Sequence, residues 1–131
     1  MSRSNSSLNR AKKEKNDEFY TLYEDIEKEM QHYDFKGKII YCPCDDFRWS
    51  NFKKYFRDNF DSLGLKKLIV SNYDIGEGAW VYTYDGEKET ADRFDGQGGY
   101  REHNDLRDEA DIIATNPPFS LFRDFFKWIQ E

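Results

Sequence analysis

The chain has 131 residues and a net charge of −6, which is enough length for one domain with a hydrophobic core. No apolar run approaches the ~18 residues of a membrane span and the start has no signal-peptide core, so we expect a soluble, cytoplasmic protein. Aromatic residues make up 18% of the chain, which argues against disorder although 35% of the residues are charged.

Charge is unevenly distributed along the chain. Residues 1–15 carry five basic side chains and one acidic side chain, a local charge of +4, and almost no apolar residues. We therefore expect residues 1–15 to be a flexible basic arm, and residues 16–131 to be the folded domain. The domain carries a net charge of −10, which is unfavourable for binding a polyanion because basic groups supply most of the affinity for phosphates.

The first predicted elements are a helix and a strand. Thr21-Leu22-Tyr23-Glu24 has the form of a capping box, and apolar side chains follow at four-residue spacing, so a helix is expected from about Leu22 to His32. Lys38 to Tyr41 is the first strand, and Cys42 to Asp46 is the loop after it. This order begins an α/β pattern.

The two cysteines of that loop predict neither a disulfide nor a metal site. Cys42 and Cys44 flank a proline, and a chain without a secretion signal is not expected to form disulfides. A zinc site would need further ligands, and the chain offers only His32 and His103 as histidines. We expect no bound metal.

A second helix and a second strand follow. Ser50 to Phe60 has aromatic residues at three- and four-residue spacings, which predicts a helix with its aromatic stripe in the core. Gly64 ends this segment, and Leu68 to Val70 is the second strand. The strand is short and apolar, as expected for a strand buried on both faces.

The remaining strands are a hairpin and a short apolar run. Residues 80–84 alternate aromatic with smaller side chains before Asp85-Gly86, which predicts an antiparallel hairpin in the region of the third strand. Leu106 to Ala110 is expected to be a helical link. Asp111 to Thr115 is the fourth strand, since two prolines, neither of which can donate to a sheet ladder, follow Asn116.

A last helix is predicted after Ser120, which can cap it. Its apolar side chains are too many for a free terminal helix, so the pattern predicts a further layer of the protein packed against it. The apolar residues are Leu121, Phe122, Phe125, Phe126, Trp128 and Ile129.

The end of the fourth strand is the strongest functional signal. The Asn116 side-chain oxygen and nearby main-chain carbonyls are hydrogen-bond acceptors at the carboxyl edge of a sheet, where α/β proteins bind ligands. Phe119 adds an aromatic face beside them. A planar ring with an exocyclic amino group fits both features, with its N–H groups on the acceptors and its face on the phenyl ring. An ordinary strand-to-loop turn is the alternative interpretation.

Three stretches resemble one enzyme family. Asn116-Pro117-Pro118-Phe119 resembles the catalytic motif of methyltransferases that act on amino nitrogens with S-adenosylmethionine, chiefly adenine-N6 DNA methyltransferases. Asn16-Asp-Glu-Phe-Tyr-Thr21 and Ile40-Tyr-Cys-Pro-Cys-Asp-Asp-Phe-Arg-Trp-Ser-Asn-Phe52 resemble the EcoRI-type adenine methyltransferases in particular. The resemblance runs from about Lys13 to Glu131 and covers the amino-terminal half of such an enzyme.

This resemblance implies a fold and a partner. The fold is an α/β, Rossmann-like methyltransferase fold with strands in the order third, second, first, fourth, here without its carboxyl-terminal strands and target-recognition region. The implied cofactor is S-adenosylmethionine, and the implied substrate is double-stranded DNA. A complementary carboxyl-terminal chain would complete the enzyme.

The resemblance also implies the site residues. The catalytic residues are Asn116, Pro117, Pro118 and Phe119. The cofactor-binding residues are Phe19, Tyr20, Thr21, Cys42, Asp45, Asp46, Asn72 and Asp74. Three departures from the family pattern stand at Leu22 in place of proline, at Gln97 in place of an acid, and in the 42–46 loop, which lacks the glycines of most methyltransferases.

Several of these residues have a second interpretation. Phe19 and Tyr20 also suit core packing, Asp45 and Asp46 suit helix capping, and Asn72 and Asp74 suit turn formation. Two rival functions belong to other classes: an inactive or split half that binds cofactor or a partner chain, and an acidic interaction module that mimics DNA.

Overall fold

The computed structural model describes residues 21–72, 78–94, 99–115 and 122–131. The described part is a mixed α/β fold, as the sequence predicts. Its strands are β1 (Ile39–Cys42), β2 (Lys67–Ser71), β3 (Ala79–Tyr84), β4 (Glu89–Phe94) and β5 (Ile112–Ile113). Its helices are α1 (Tyr23–Met30), α2 (Asn51–Asp58), α3 (Phe60–Leu63), α4 (Asn104–Glu109) and α5 (Phe122–Gln130), with a 3₁₀ turn at Tyr100–Glu102.

The strands form one five-stranded sheet in the order β4-β3-β2-β1-β5. β1 lies between β2 and β5 and runs parallel to both, with Ile40 opposite Leu68 on one side and Ile112 on the other. The predicted neighbours of the first strand are therefore confirmed. β3 lies next to β2, as the predicted strand order requires of the third strand. It runs antiparallel to β2, so the sheet is mixed.

The predicted hairpin is confirmed between β3 and β4. The Asp85 carboxylate accepts hydrogen bonds from the main-chain N–H groups of Glu87 (2.9 Å) and Lys88 (2.8 Å), which closes the turn. Gly86 has a φ of 97°, a backbone conformation that side chains disfavour, and the Phe60 ring lies 3.2 Å from where its Cβ would be. Both the backbone conformation of the turn and the closeness of the Phe60 ring therefore favour glycine at this position.

The first face of the sheet is covered by α1 and α2. Phe52, Tyr55 and Phe56 are buried at the three- and four-residue spacings that the sequence shows, and they pack over β1 and β2. The predicted second helix is divided at Asn59, after which α3 runs to Gly64. Gly64 has a φ of 70°, the left-handed conformation that ends helices.

The start of α1 differs from the prediction. The cap position is Leu22, which makes no side-chain hydrogen bond, so the predicted capping box does not form. Leucine has no hydrogen-bonding atoms with which to cap a helix. Thr21, the residue before it, contacts α2, because the Asn51 side-chain amide donates to the Thr21 carbonyl at 3.0 Å.

The second face of the sheet is covered by α5. Phe125 and Trp128 are buried against Tyr41, Ile69 and Tyr100, so the layer that the last helix needs is this face of the sheet. The helix needs a covering layer, as the sequence predicts, but the expectation that this chain does not supply the layer is wrong for Phe125 and Trp128. Of its large apolar side chains, Phe126 stays 48% exposed.

Candidate active site

The candidate site is the edge of the sheet at which the parallel strands β1, β2 and β5 end. Parallel strands present their carboxyl ends at the same edge, so the segments after Cys42, Ser71 and Ile113 leave the sheet side by side. Thr115 is the last described residue before the predicted catalytic tetrapeptide. The edge therefore brings the predicted cofactor loop next to the residue that precedes that tetrapeptide.

A chain of hydrogen bonds joins β5 to the loop after β1. The main-chain N–H of Cys44 donates to the Thr115 hydroxyl at 3.0 Å, and that hydroxyl donates to one oxygen of the Asp45 carboxylate. The other Asp45 oxygen accepts from the Ser50 hydroxyl at 2.8 Å. Asp45 is fully buried, so it relies on these partners for the solvation that water would provide.

The same chain of contacts continues across β2 to β3. The main-chain N–H of Asp45 donates to the Ser71 carbonyl at 3.0 Å. The Asn72 amide group donates to the Gly78 carbonyl at 2.7 Å, and its oxygen accepts from the Trp80 N–H at 2.7 Å. We call Thr115, Asp45, Ser71 and Asn72 the polar belt, because their contacts cross the whole edge. The belt fixes the relative positions of four strand ends.

Asp46 differs from Asp45 in its partner. Its carboxylate accepts two hydrogen bonds from the Arg48 guanidinium, at 2.9 Å from Nε and 2.6 Å from Nη2. The Arg48 side chain is 37% exposed, and its guanidinium lies 4.5 Å from the centre of the Trp49 ring. Asp46 therefore stands next to a cation and an aromatic face that both reach solvent.

A comparison with known proteins decides the family. Residues 7–131 match the family described as adenine-specific methyltransferase EcoRI. The chain belongs to this family. The EcoRI-type relationship that the three sequence stretches predict is thus confirmed, and the match includes the belt and the tetrapeptide after it.

Curated relatives agree with the family. The chain is 47% identical to the type II methyltransferase M.EcoRI of Escherichia coli over 143 aligned positions, which cover 92% of this chain and 44% of the relative. It is 44% identical to the type II methyltransferase M.MpnI of Mycoplasma pneumoniae over 122 positions, which cover 90% of this chain and 38% of the relative. The chain therefore spans less than half the length of these relatives. No solved structure matches it.

The structure brings four of the predicted site residues to one edge and places a fifth, Thr21, next to α2. Asp45, Asp46, Asn72 and the main chain at Cys42 lie at the carboxyl edge. The Cys42 thiol itself is fully buried in the core of the first face, where burial raises its pKa. A thiol in that position can pack but cannot touch a ligand at the edge, which leaves only the main chain of Cys42 for such a contact. Thr21 lies next to α2 through its carbonyl.

Other predicted residues lie outside the described part of the chain. They are the arm at residues 1–15, Phe19, Tyr20, Asp74, Gln97, Asn116, Pro117, Pro118, Phe119 and Ser120. Their roles stay predictions.

Sequence reasoning missed the hydroxyl residues of the edge. The Ser50 and Thr115 hydroxyls donate to Asp45, whereas Ser71 accepts from the Asp45 N–H through its main-chain carbonyl and hydrogen-bonds to the Tyr41 hydroxyl through its side chain. Ser71 and Thr115 share a local signal, since each follows an apolar run at the end of a parallel strand. Of the two hydroxyls, that of Thr115 hydrogen-bonds to the loop of the neighbouring strand, and that of Ser71 to Tyr41 within β1.

Two kinds of site are not found in the described ranges. Within residues 21–72, 78–94, 99–115 and 122–131, no group of three or more His, Cys, Asp or Glu side chains is placed to hold a metal ion. Cys42 and Cys44 are both buried, and neither forms a disulfide. No helix of the described residues is long and apolar enough to span a membrane.

An apolar cavity opens beside β5. Its volume is about 420 Å³, and it lies between α1, α2 and the outer edge of β5. β5 is the end strand of the described sheet, so its outer edge meets no further described strand. The cavity is lined by Met30, Tyr33, Phe35, Phe52, Ile112, Ile113, Ala114 and Thr115.

Proposed function

We propose that this chain is the cofactor-binding and catalytic part of an adenine-N6 DNA methyltransferase with a Rossmann-like fold. The observation that carries the proposal is the polar belt, which holds the loop of the EcoRI-type motif against the residue that precedes Asn116. The methyl donor would be S-adenosylmethionine, whose sulfonium supplies an electrophilic methyl group.

The strand order supports the position of the cofactor. From β1 the chain passes through α2 to β2 on one side, and β5 lies on the other side of β1. Such a reversal of direction is a topological switch point, and ligands of α/β sheets bind outside the carboxyl ends of the strands there. The switch point of this sheet lies between β1 and β5, where the belt begins.

The chemistry of the residues at the edge fits the cofactor. The Asp46 carboxylate offers a negative charge for an ammonium group, and the exposed Trp49 ring lies beside it. The 42–46 loop offers main-chain groups at Cys42 and Cys44. Phe19, Tyr20, Thr21 and Asp74 complete the proposed set, with Asn72 holding the β2–β3 connection in place.

The tetrapeptide would receive the target base. The Asn116 side-chain oxygen and the Pro117 carbonyl would accept the two hydrogens of the adenine N6 amino group, which directs the nitrogen lone pair out of the ring plane. Pro118 limits the freedom of the backbone, and Phe119 would stack on the base. No covalent nucleophile is required, so positioning supplies most of the rate enhancement.

The DNA-binding surface would come from further polypeptide. Residues 16–131 carry a net charge of −10, which repels phosphates, and the relatives are more than twice as long as the segment that they share with this chain. We infer that a complementary carboxyl-terminal polypeptide, continuous with this chain or separate, packs on β5 and fills the apolar cavity beside it.

The test is transfer of a labelled methyl group from S-adenosylmethionine to duplex DNA. It uses the chain alone and the chain supplemented with the carboxyl-terminal part of a relative. Asn116→Ala is expected to lower the transfer rate by roughly 100-fold or more while changing cofactor affinity by less than about threefold, because it acts on the base in the transition state. Asn59→Ala, a substitution at the end of α2, is the control and should leave transfer unchanged.

A calorimetric titration separates cofactor binding from catalysis. Saturable binding of S-adenosylmethionine, with no binding of ATP, is expected, and Phe19→Ala should weaken it. If a folded chain binds no S-adenosylmethionine and transfers no methyl group even when supplemented, the proposed function is wrong and the chain is an interaction module.

A further inference from the structure

We infer that Asp45 and Thr115 are positioning residues, and that Asp45 does not bind the cofactor. The two side chains form a link between the loop after β1 and the main chain that leads into the catalytic tetrapeptide. This inference rests on the proposed function, since it concerns the residue that would hold the base. It assigns different roles to the two neighbouring aspartates of the EcoRI-type motif.

The Asp45 carboxylate is committed to partners within the chain. One oxygen accepts from the Ser50 hydroxyl and the other from the Thr115 hydroxyl. The side chain is fully buried, so a ligand could reach a carboxylate oxygen only if the surrounding residues moved apart, which would separate that oxygen from its hydroxyl partner. The separation would leave a buried hydroxyl or carboxylate oxygen without its partner, which is unfavourable.

The Thr115 hydroxyl is held from two directions. It accepts from the Cys44 N–H and donates to Asp45, so both its acceptor and its donor function are used. A β-branched side chain with both functions engaged has one rotamer. The main chain at Thr115 is fixed as a result, and only one peptide bond, about 3.8 Å from Cα to Cα, separates it from Asn116.

Asp46 is also buried, at 4% exposure, so what separates it from Asp45 is the position of its partner at the surface. Its partner is the Arg48 guanidinium, whose side chain is 37% exposed and can move away while staying hydrated. An ammonium group of the cofactor could take over that charge interaction without leaving a buried group unpaired. The assignment that follows is Asp46 for the ligand and Asp45 for the position of the tetrapeptide.

The link should affect the rate of transfer more than cofactor binding. Misplacement of a reacting group by about 1 Å can lower a rate roughly 100-fold. Thr115→Val keeps the shape of the side chain and removes the hydroxyl, so it should lower kcat by about ten- to 100-fold and change KM for S-adenosylmethionine by less than about threefold. Thr115→Ser restores the hydroxyl and should recover most of the rate.

A matched control is available in the hairpin. The Thr83 hydroxyl lies 2.7 Å from that of Thr90, so Thr83→Val makes the same change in the same sheet away from the edge. It should leave both kcat and KM unchanged. A loss of rate in Thr83→Val equal to that in Thr115→Val would mean that the rate reports general stability, and would overturn the inference.

Affinity measurements distinguish the two aspartates. Calorimetry of the chain with S-adenosylmethionine should show less than about a threefold change for Asp45→Asn and a loss of about tenfold or more for Asp46→Asn, about 1.4 kcal/mol per factor of ten. The reverse order would make Asp45 the ligand and refute the inference.

A third measurement does not depend on activity or on cofactor binding. The side-chain amide signals of Asn116 in a ¹⁵N-resolved NMR spectrum report its surroundings directly. They should move or broaden in Thr115→Val, and should match the wild type in Thr115→Ser and Thr83→Val. Unmoved signals in Thr115→Val refute the link. If the wild-type chain neither binds cofactor nor methylates DNA, the proposed function fails, and these spectra still decide the inference.

Discussion

The two faces of the sheet are closed in different ways. On the first face α1 and α2 pack through a large apolar cluster in which rings meet edge to face, such as Phe35 with Phe56 at 5.4 Å between ring centres. On the second face α5 packs through a smaller aromatic cluster around Trp128, whose indole N–H donates to the Asn104 oxygen at 2.6 Å. The polar contacts of the first face lie at the helix ends, such as that of Asn51 with the Thr21 carbonyl, whereas on the second face a residue of the cluster itself, Trp128, makes one.

This difference matters for the candidate site. The tetrapeptide lies in sequence between Thr115, which the polar belt holds, and α5, which the second face holds. Apolar packing tolerates small shifts, whereas hydrogen bonds fix one arrangement. The polar contacts of the second face, such as those of Trp128 with Asn104 and of Asp124 with Arg101, help to define the position of α5, which follows the tetrapeptide in sequence.

The largest effect is expected from Phe56→Ala on the first face. The ring is fully buried, and its removal leaves a cavity that should lower the free energy of unfolding by about 3–5 kcal/mol. Urea denaturation measures the change. Phe126→Ala removes a ring that is 48% exposed and should cost less than about 1 kcal/mol. Equal losses would contradict the packing described for the first face.

Trp128→Ala should have an effect of about 3 kcal/mol that is local to the second face. The side chain is fully buried and joins α5 to Tyr100 and to α4. Amide hydrogen exchange is expected to accelerate in residues 122–131 while β1 and β2 keep their protection. Uniform acceleration throughout the sheet would mean that the two faces unfold as one unit.

Asn104→Ala tests the polar contact by itself. It leaves the buried indole N–H without its partner and should lower the free energy of unfolding by about 1–3 kcal/mol. Trp128→Phe, made alone and together with Asn104→Ala, removes the indole N–H donor. A double-mutant cycle measured by urea denaturation should give a clear coupling energy between the two residues. Additive losses would show that the hydrogen bond does not stabilise the fold.

The smallest effect concerns pH. The pKa of Asp124 lies below its ordinary value because it accepts hydrogen bonds from the Arg101 guanidinium and the Tyr100 hydroxyl. Its contribution to stability is therefore complete above the unfolded carboxyl pKa of about 4 and is lost as pH falls through the lower folded value. Exchange protection of residues 122–131 should fall below about pH 4 in the wild type. Asp124→Asn should remove the part of this dependence that comes from Asp124.

A carboxylate on the other side of the molecule is the control for that experiment. The pKa of Glu89 is also lowered, by hydrogen bonds from Tyr82 and Arg57. Glu89→Gln should change the pH dependence of global stability and leave that of residues 122–131 unchanged. If Glu89→Gln also changes the pH dependence of exchange protection in residues 122–131, the loss of protection at low pH is not specific to the second face.

Local patterns predicted most of the elements. The parallel strands are short apolar runs, the hairpin has alternating aromatic residues and Asp85-Gly86, and the helix after Ser50 shows its aromatic stripe. Each of these signals depends on a side chain and its near neighbours in sequence, which is why it can be read without a structure. The family resemblance followed from three motifs in order, and its confirmation needed only the sequence.

The cap of α1 and the partner of α5 could not be predicted in the same way. Thr21 has the right chemistry for a cap, but the cap position is one residue later, at Leu22, and the Thr21 carbonyl contacts Asn51, 30 residues away. The apolar pattern of α5 shows that the helix must be covered and does not say by what. Only the packing of Trp128 on the second face identifies the covering layer.

The amino-acid sequence alone places this chain among the EcoRI-type methyltransferases and locates its strands, because motifs and periodicity are local properties. The tertiary structure decides how Asp45 and Asp46 differ, although they are adjacent and chemically identical. One partner of Asp45, Thr115, lies 70 residues away and another, Ser50, lies five residues away, whereas the partner of Asp46 is two residues away. Both aspartates are buried, so their partners distinguish them, and the contact between Asp45 and Thr115 forms only once β1 and β5 lie side by side.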